Sequence, residues 1–282
     1  GQQGHSLPLS TLAAGPFTVE KARNAGVRLF ATALYCEDRF NGPGSSRHLN
    51  EVLGFVLNHF DTVLIVKRKE DFQLLVEDPE RCATVLLLEN ADGLLDRHGE
   101  VDGWKRAGIQ VAGLTHAGEN RVAAGNAVRH TEGFSGEGRN LVRELEEADV
   151  LVDVAHLHPK CFWQLMELTE KPVISSHTGI RDILDIPRNL GLDQVKQILE
   201  RGGMIGITFN PEMLAPYGDA SMDDLFAHLD TVVQRFGPSQ VGIGSDFGGF
   251  SGSIAELASI SDIRRVEDLL LAHGYPLWAV NG

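Results

Sequence analysis

Two apolar runs that each end in a histidine, separated by a helix-length amphipathic segment, constrain this chain more than any other feature. Asp149 to His156 is the first run, Lys171 to His177 the second, and Pro159 to Thr169 lies between them. A continuous apolar run of this length reads as a strand buried on both faces. Strand, crossover helix and strand make a βαβ unit with parallel strands. Side chains at the carboxyl ends of parallel strands collect at the mouth of the sheet, where such folds keep their chemistry. The spacing therefore predicts that the imidazoles of His156 and His177 stand side by side.

The same alternation runs along the rest of the chain. Strands are predicted over 27–35, 83–88, 110–115, 203–209 and 240–245, with a further short strand or loop at 62–66. Helices are predicted over 47–60, near Glu70, up to 108, and over 140–148, 192–201 and 222–236. Residues 120–138 are rich in Gly, Asn and charge, show no period, and are expected to be a loop that shapes the pocket. Regular alternation implies a parallel sheet, and no compositional break marks a linker. We therefore expect one domain, residues 1–282, folded as an α/β TIM-like (β/α)8 barrel. Its eighth strand comes from a truncated N-terminal strand or from 62–66. An open doubly wound sheet would carry a Gly-rich phosphate loop after its first strand, and none is visible.

Composition narrows the partners. A formal net charge of −14 with no local basic patch argues against nucleic acid and anionic membranes. Three widely spaced cysteines, Cys36, Cys82 and Cys161, fit reduced thiols. With no apolar run of membrane-spanning length and no leader pattern, a cytoplasmic location is expected. The abrupt ends, Gly1-Gln-Gln-Gly4 and Val280-Asn-Gly282, lead us to expect missing terminal segments.

Polar residues able to bind metals or move protons stand at or beside the strand ends: Glu89, His116, His156, His177, Asp246 and, before the first clear strand, His5. Imidazole and carboxylate together suit Zn2+ and similar borderline cations. A carboxylate can also bridge two cations, as two-metal hydrolases require. A single strand-end histidine is usually structural. The repetition of the pattern is what points to a metal site.

Seven segments carry a more specific likeness: Leu88 to Asp92, Gly113 to His116, Leu151 to His156, Val173 to Thr178, Pro187 to Leu190, Gly202 to Gly206 and Val241 to Phe247. In this order they resemble the membrane (renal) dipeptidases, zinc peptidase family M19. The resemblance implies a TIM-like barrel with a binuclear zinc centre that hydrolyses dipeptides by metal-bound hydroxide. Within it, Glu89 matches the carboxylate that bridges the metals, and His156 and His177 match ligands of the second metal. Asp246 matches the acid near the first metal that handles protons. His116 matches the histidine that contacts substrate and stabilises the tetrahedral intermediate. Arg188 matches the arginine that receives the free carboxylate of a dipeptide, a role suited to a planar guanidinium.

One departure bears on the metal count. The family opens with a strand ending His-x-Asp, both ligands of the first metal. Here His5-Ser-Leu7 stands there, with Leu7 at the Asp position. Three explanations stay open: a degraded site holding one metal or none, a missing first strand with His5 in a tag or linker, or residues absent after His5. Gly248 also stands where the family commonly has Asp. Two other functions stay open. One is a non-catalytic or single-metal homologue that binds a small ligand. The other is a barrel amidohydrolase acting on cyclic amides or lactones, although its usual His-x-His opening and strand-end Lys are not seen. The helix face carrying Phe162, Trp163, Leu165 and Met166 is barrel packing or a homodimer patch.

Overall fold

The computed structural model describes residues 15–97 and 100–280. His5 and Leu7 lie outside the described residues. The chain divides into two compact units, Thr18–Lys171 and, with Gly15–Phe17, the part from Pro172 on.

The first unit is a parallel sheet with helices between its strands. Helix α1 (Val19–Asn24) leads into β1 (Leu29–Tyr35), α2 (Ser45–His59), β2 (Val63–Ile65), α3 (Gln73–Glu77) and β3 (Cys82–Glu89). Then come α4 (Val101–Ala107), β4 (Ile109–Gly113), α5 (Gly136–Glu147), β5 (Leu151–Asp153) and α6 (Pro159–Leu168). Strand β3 is the spine. Leu86 and Leu88 are fully buried, as its unbroken apolar run requires of a strand covered on both faces. Strand β1 pairs along its whole length, β2 meets its first residues and β4 its last. Capping residues set the helix starts: the Thr18 and Ser135 side chains accept from the backbone N–H of Lys21 and Gly138. The Ser135 cap starts α5 at Gly136, four residues ahead of the predicted Asn140.

The register of this sheet positions the chemistry. Tyr35 pairs with Glu89, Glu89 with Gly113, and Gly113 with Asp153. These four residues form one rung at the carboxyl end of the sheet. Whatever follows each strand by the same number of residues therefore leaves the sheet at the same level.

The second unit holds β6 (Val173–Thr178), α7 (Leu192–Glu200), β7 (Met204–Ile207), α8 (Pro211–Leu214), α9 (Met222–Phe236), β8 (Val241–Ile243), α10 (Arg264–Ala272) and α11 (Leu277–Val280). Strands β6, β7 and β8 are parallel, with Thr178, Ile207 and Ile243 on one rung. Close approach of the strand ends explains two glycines. A Cβ on Gly206 would lie 2.2 Å, and one on Gly244 2.0 Å, from the Ser176 carbonyl oxygen. Among the described residues, no helix is long and apolar enough to cross a membrane.

Candidate metal and catalytic site

In the first unit three predicted residues meet. Glu89 is the last residue of β3. His116 and His156 each lie three residues beyond the rung, after β4 and β5. One ligand atom from each of Glu89, His116 and His156 lies within 4.8 Å of the other two. His156 Nε2 is 2.8 Å from Glu89 Oε1, and the rings of His116 and His156 are 4.6 Å apart. Two imidazoles and a carboxylate converging in a partly buried cleft form a donor set suited to a borderline divalent cation. His156 has φ +66°, and Asn90, directly after Glu89, has φ +80°. The chain thus turns through the left-handed region beside both ligands, a conformation that costs a non-glycine residue of order 1 kcal/mol.

Behind these residues a polar frame joins the strand exits. Asn90 donates to the Cys36 carbonyl and to Asn41 Oδ1 at 2.8 and 2.7 Å. Asn120 in turn donates to Asn90 Oδ1 and to the Leu114 carbonyl. Asp92, only 1% exposed, accepts from Gly42 N, Ser45 Oγ, Arg121 N and the Arg121 guanidinium. Burial alone would push the Asp92 carboxyl up. The hydrogen bonds from Arg121, Gly42 and Ser45 outweigh it and hold the group below the usual carboxylate range.

Two neighbours of the site stay protonated at neutral pH. Burial, and then the charges of Glu89 and Asp92, push the Cys36 thiol up to about 12. A protonated thiol is a poor metal ligand and nucleophile. Tyr35 packs edgewise on His116 with ring centroids 4.8 Å apart. Burial and the charges of Glu89, Asp38 and Glu37 raise its phenol above the ordinary range.

The second unit holds the other three predicted residues. His177, 8% exposed, is the penultimate residue of β6, and its Nδ1 is 2.7 Å from Ser176 Oγ. Asp246 lies three residues beyond Ile243 and has φ +56°. Arg188 sits in a turn held by the buried Asn189. That amide donates to the carbonyls of Leu184 and Met213 and accepts from Gly179 N.

The 120–138 loop borders an open pocket of about 760 Å3 lined by Arg129, His130, His158 and Lys160 among others, and neither Glu89, His116 nor His156 lines it. Asp38, Tyr35 and the Asn90–Asp92–Arg121 frame escaped sequence reasoning. A signal for Asp38 existed: it follows the end of an apolar strand by three residues, as His116 and His156 do.

Comparison with known proteins bears on the family and the fold. The profile of the membrane dipeptidase family (peptidase family M19) matches residues 9–282. An uncharacterized Klebsiella pneumoniae protein from the pqqA 5′ region is 26% identical over 72% of this chain and 80% of its own. The dipeptidase tcpJ of Claviceps purpurea is 24% identical over 79% of this chain. The chain spans about half the length of several such relatives: 40% of an uncharacterized Schizosaccharomyces pombe dipeptidase, 54% of an Acinetobacter calcoaceticus protein and 53% of tcpJ. Among solved structures, the M19 metallopeptidase dipeptidase AC superposes with a TM-score of 0.88 at 20% identity, over 98% of this chain and 88% of its own. A Rhodobacter sphaeroides metallopeptidase, liganded with a phosphinate mimic of the dipeptide L-Ala-D-Ala, gives 0.86 at 18% identity, over 98% and 89%. The fold class is the TIM-like α/β class of these peptidases, and the chain belongs to the membrane dipeptidase family, peptidase family M19.

Proposed function

We propose that this chain is a metal-dependent dipeptidase. The observation that carries the reading is the convergence of Glu89, His116 and His156 within 4.8 Å at the carboxyl end of a parallel sheet. Glu89, His156 and His177 would hold the metal, zinc by the nature of the donors, with Glu89 the bridging carboxylate where two ions bind. A bound metal supplies Lewis acidity and lowers the pKa of water.

The remaining roles belong to the chain's own side chains. Arg188 pairs with the free carboxylate of the substrate, which restricts it to very short peptides. His116 donates to the oxyanion that develops at the scissile carbonyl, and Asp246 carries the proton to the leaving amine. His5 would belong to the first-metal site, with Leu7 standing where the family has Asp, and residues 1–282 act as one catalytic domain.

A second reading is favoured by the same cluster: a single-metal site ligated by Glu89, His116 and His156. Metal analysis of purified protein separates the two, with about two equivalents for the first and one for the second. The activity is tested on a dipeptide panel alongside lactones and cyclic amides. Glu89→Gln and His177→Ala are expected to abolish dipeptide hydrolysis while circular dichroism stays unchanged. Turnover retained in either folded variant would refute the assignment.

A further inference from the structure

We propose that Asp38 is a positioning residue for His116. It fixes the tautomer and the ring plane of the imidazole so that Nε2 is the atom presented to the reaction. The inference rests on the dipeptidase reading for its kinetic consequences, but the geometry behind it stands alone.

Asp38 Oδ2 lies 3.1 Å from His116 Nδ1 and accepts from Gly118 N at 3.0 Å. Asp38 Oδ2 already acts as an acceptor toward Gly118 N, and in the same role toward the ring it leaves the shared hydrogen on Nδ1. This leaves the Nε2 lone pair to a metal; in the oxyanion role the ring acts as the imidazolium, with its second proton on Nε2 and Asp38 facing the charge at Nδ1. The other faces of the ring are also held, by Tyr35 at 4.8 Å and His156 at 4.6 Å.

The placement is not a chance surface contact. Tyr35, Gly113 and Asp153 share one rung, and Asp38, His116 and His156 each leave the sheet three residues later. Asp38 is therefore the β1 counterpart of the two histidines. The neighbouring Arg39 pairs with Glu37 instead. The second oxygen, Asp38 Oδ1, is shut away from solvent and takes no hydrogen bond among the described residues. Among the described residues, the polar contacts of this carboxylate thus run through the one oxygen that faces His116.

Gly118 is part of the same device. A Cβ there would lie 3.1 Å from Asp38 Oδ2 and 3.2 Å from its Cγ, tighter than ordinary contact. Its backbone is in the region open to any residue, so Gly118→Ala displaces the carboxylate without straining the loop.

The test uses full-length protein labelled with 15N-histidine, metal-free and near pH 8, with His116→Gln to assign the ring signals. The parent is expected to show His116 protonated on Nδ1 alone. Asp38→Ala is expected to move the proton to Nε2 or to a mixture of tautomers. In the loaded enzyme, Asp38→Ala should lower kcat by about 10- to 100-fold with little change in KM. Asp38→Asn, which keeps an acceptor oxygen, should recover part of that loss. Gly118→Ala should move both readouts in the same direction by less. An unchanged tautomer in Asp38→Ala, or a kcat close to the parent's, overturns the proposal. If Asp38→Ala fails to fold, an unaltered tautomer in Gly118→Ala does the same. A parent that turns over no dipeptide refutes the dipeptidase reading instead, and the tautomer still decides the role of Asp38.

Discussion

Removing the Asp92 carboxylate should destabilise this fold by breaking a buried charge pair. Its side chain is 2% exposed and receives the Arg121 guanidinium at 2.8 Å, with Gly42 N and Ser45 Oγ each at 2.8 Å. Asp92→Ala leaves a partly buried cation and two buried donors short of an acceptor. Breaking a buried charge pair in this way costs about 3–5 kcal/mol. Arg121 is 24% exposed and keeps Asp96 at 2.9 Å, which places the loss at the lower end, about 3 kcal/mol. For a chain of this length that corresponds to a fall in Tm of roughly 6–12 °C. Urea unfolding and thermal melts of Asp92→Ala, Arg121→Ala and the double variant measure it. Because the two side chains form one network, the double variant should cost less than the sum, with a coupling of about 1–3 kcal/mol. The pH dependence has a definite sign. The folded-state pKa of Asp92 is depressed below 3.8, so its contribution is full above that value. It is lost as pH falls through the folded-state pKa. A Tm within about 2 °C of the parent, or strict additivity, would refute the reasoning.

Other consequences follow from the second unit. Gly244→Ala drives a Cβ to within 2.0 Å of the Ser176 carbonyl oxygen, beside His177, whereas Gly242 has nothing within 4 Å. Gly244→Ala should therefore cost about 1–3 kcal/mol in urea unfolding, while Gly242→Ala is close to neutral; equal effects would contradict the packing argument. His228 is fully buried, accepting from Ile180 N on Nδ1 and donating from Nε2 to the Leu214 carbonyl, so it is neutral. Burial depresses its pKa below 6.5, outweighing the Leu214 carbonyl and Asp224. Its contribution is accordingly full above pH 6.5 and declines as pH falls through the folded-state value, with a limiting slope of about 1.4 kcal/mol per pH unit. Urea midpoints between pH 7.5 and 5 should fall more steeply for the parent than for His228→Leu; parallel slopes would rule this out.

Those parts of the molecule governed by periodicity were legible in the sequence, and those governed by tertiary hydrogen bonding were not. The apolar run at 83–88 is strand β3 because burial on both faces leaves no polar position to disguise it. Runs of eight and six residues, 149–156 and 240–245, shrink to three-residue strands at β5 and β8, since a strand lasts only while a neighbour pairs with it. The polar ends Glu89, His116 and His156 follow from the strand pattern, and register does the rest. Asp38 stayed hidden because it lies in a short 3-10 helix with no periodicity of its own. Arg121 and Asp92 are 29 residues apart, and nothing local in either stretch reports their contact.

The left-handed backbone at Asn90, His156 and Asp246 has a consequence for anyone redesigning this protein. Glycine adopts that conformation freely, so a procedure that ranked substitutions by backbone strain alone would favour glycine at all three positions. It would return a chain stripped of an imidazole and a carboxylate at the strand exits, and of the Asn90 amide that ties Cys36, Asn41 and Asn120 together. Here relief of backbone strain and chemistry compete at the level of single torsion angles, and these three positions have to be held fixed before any consensus or strain-driven optimisation begins.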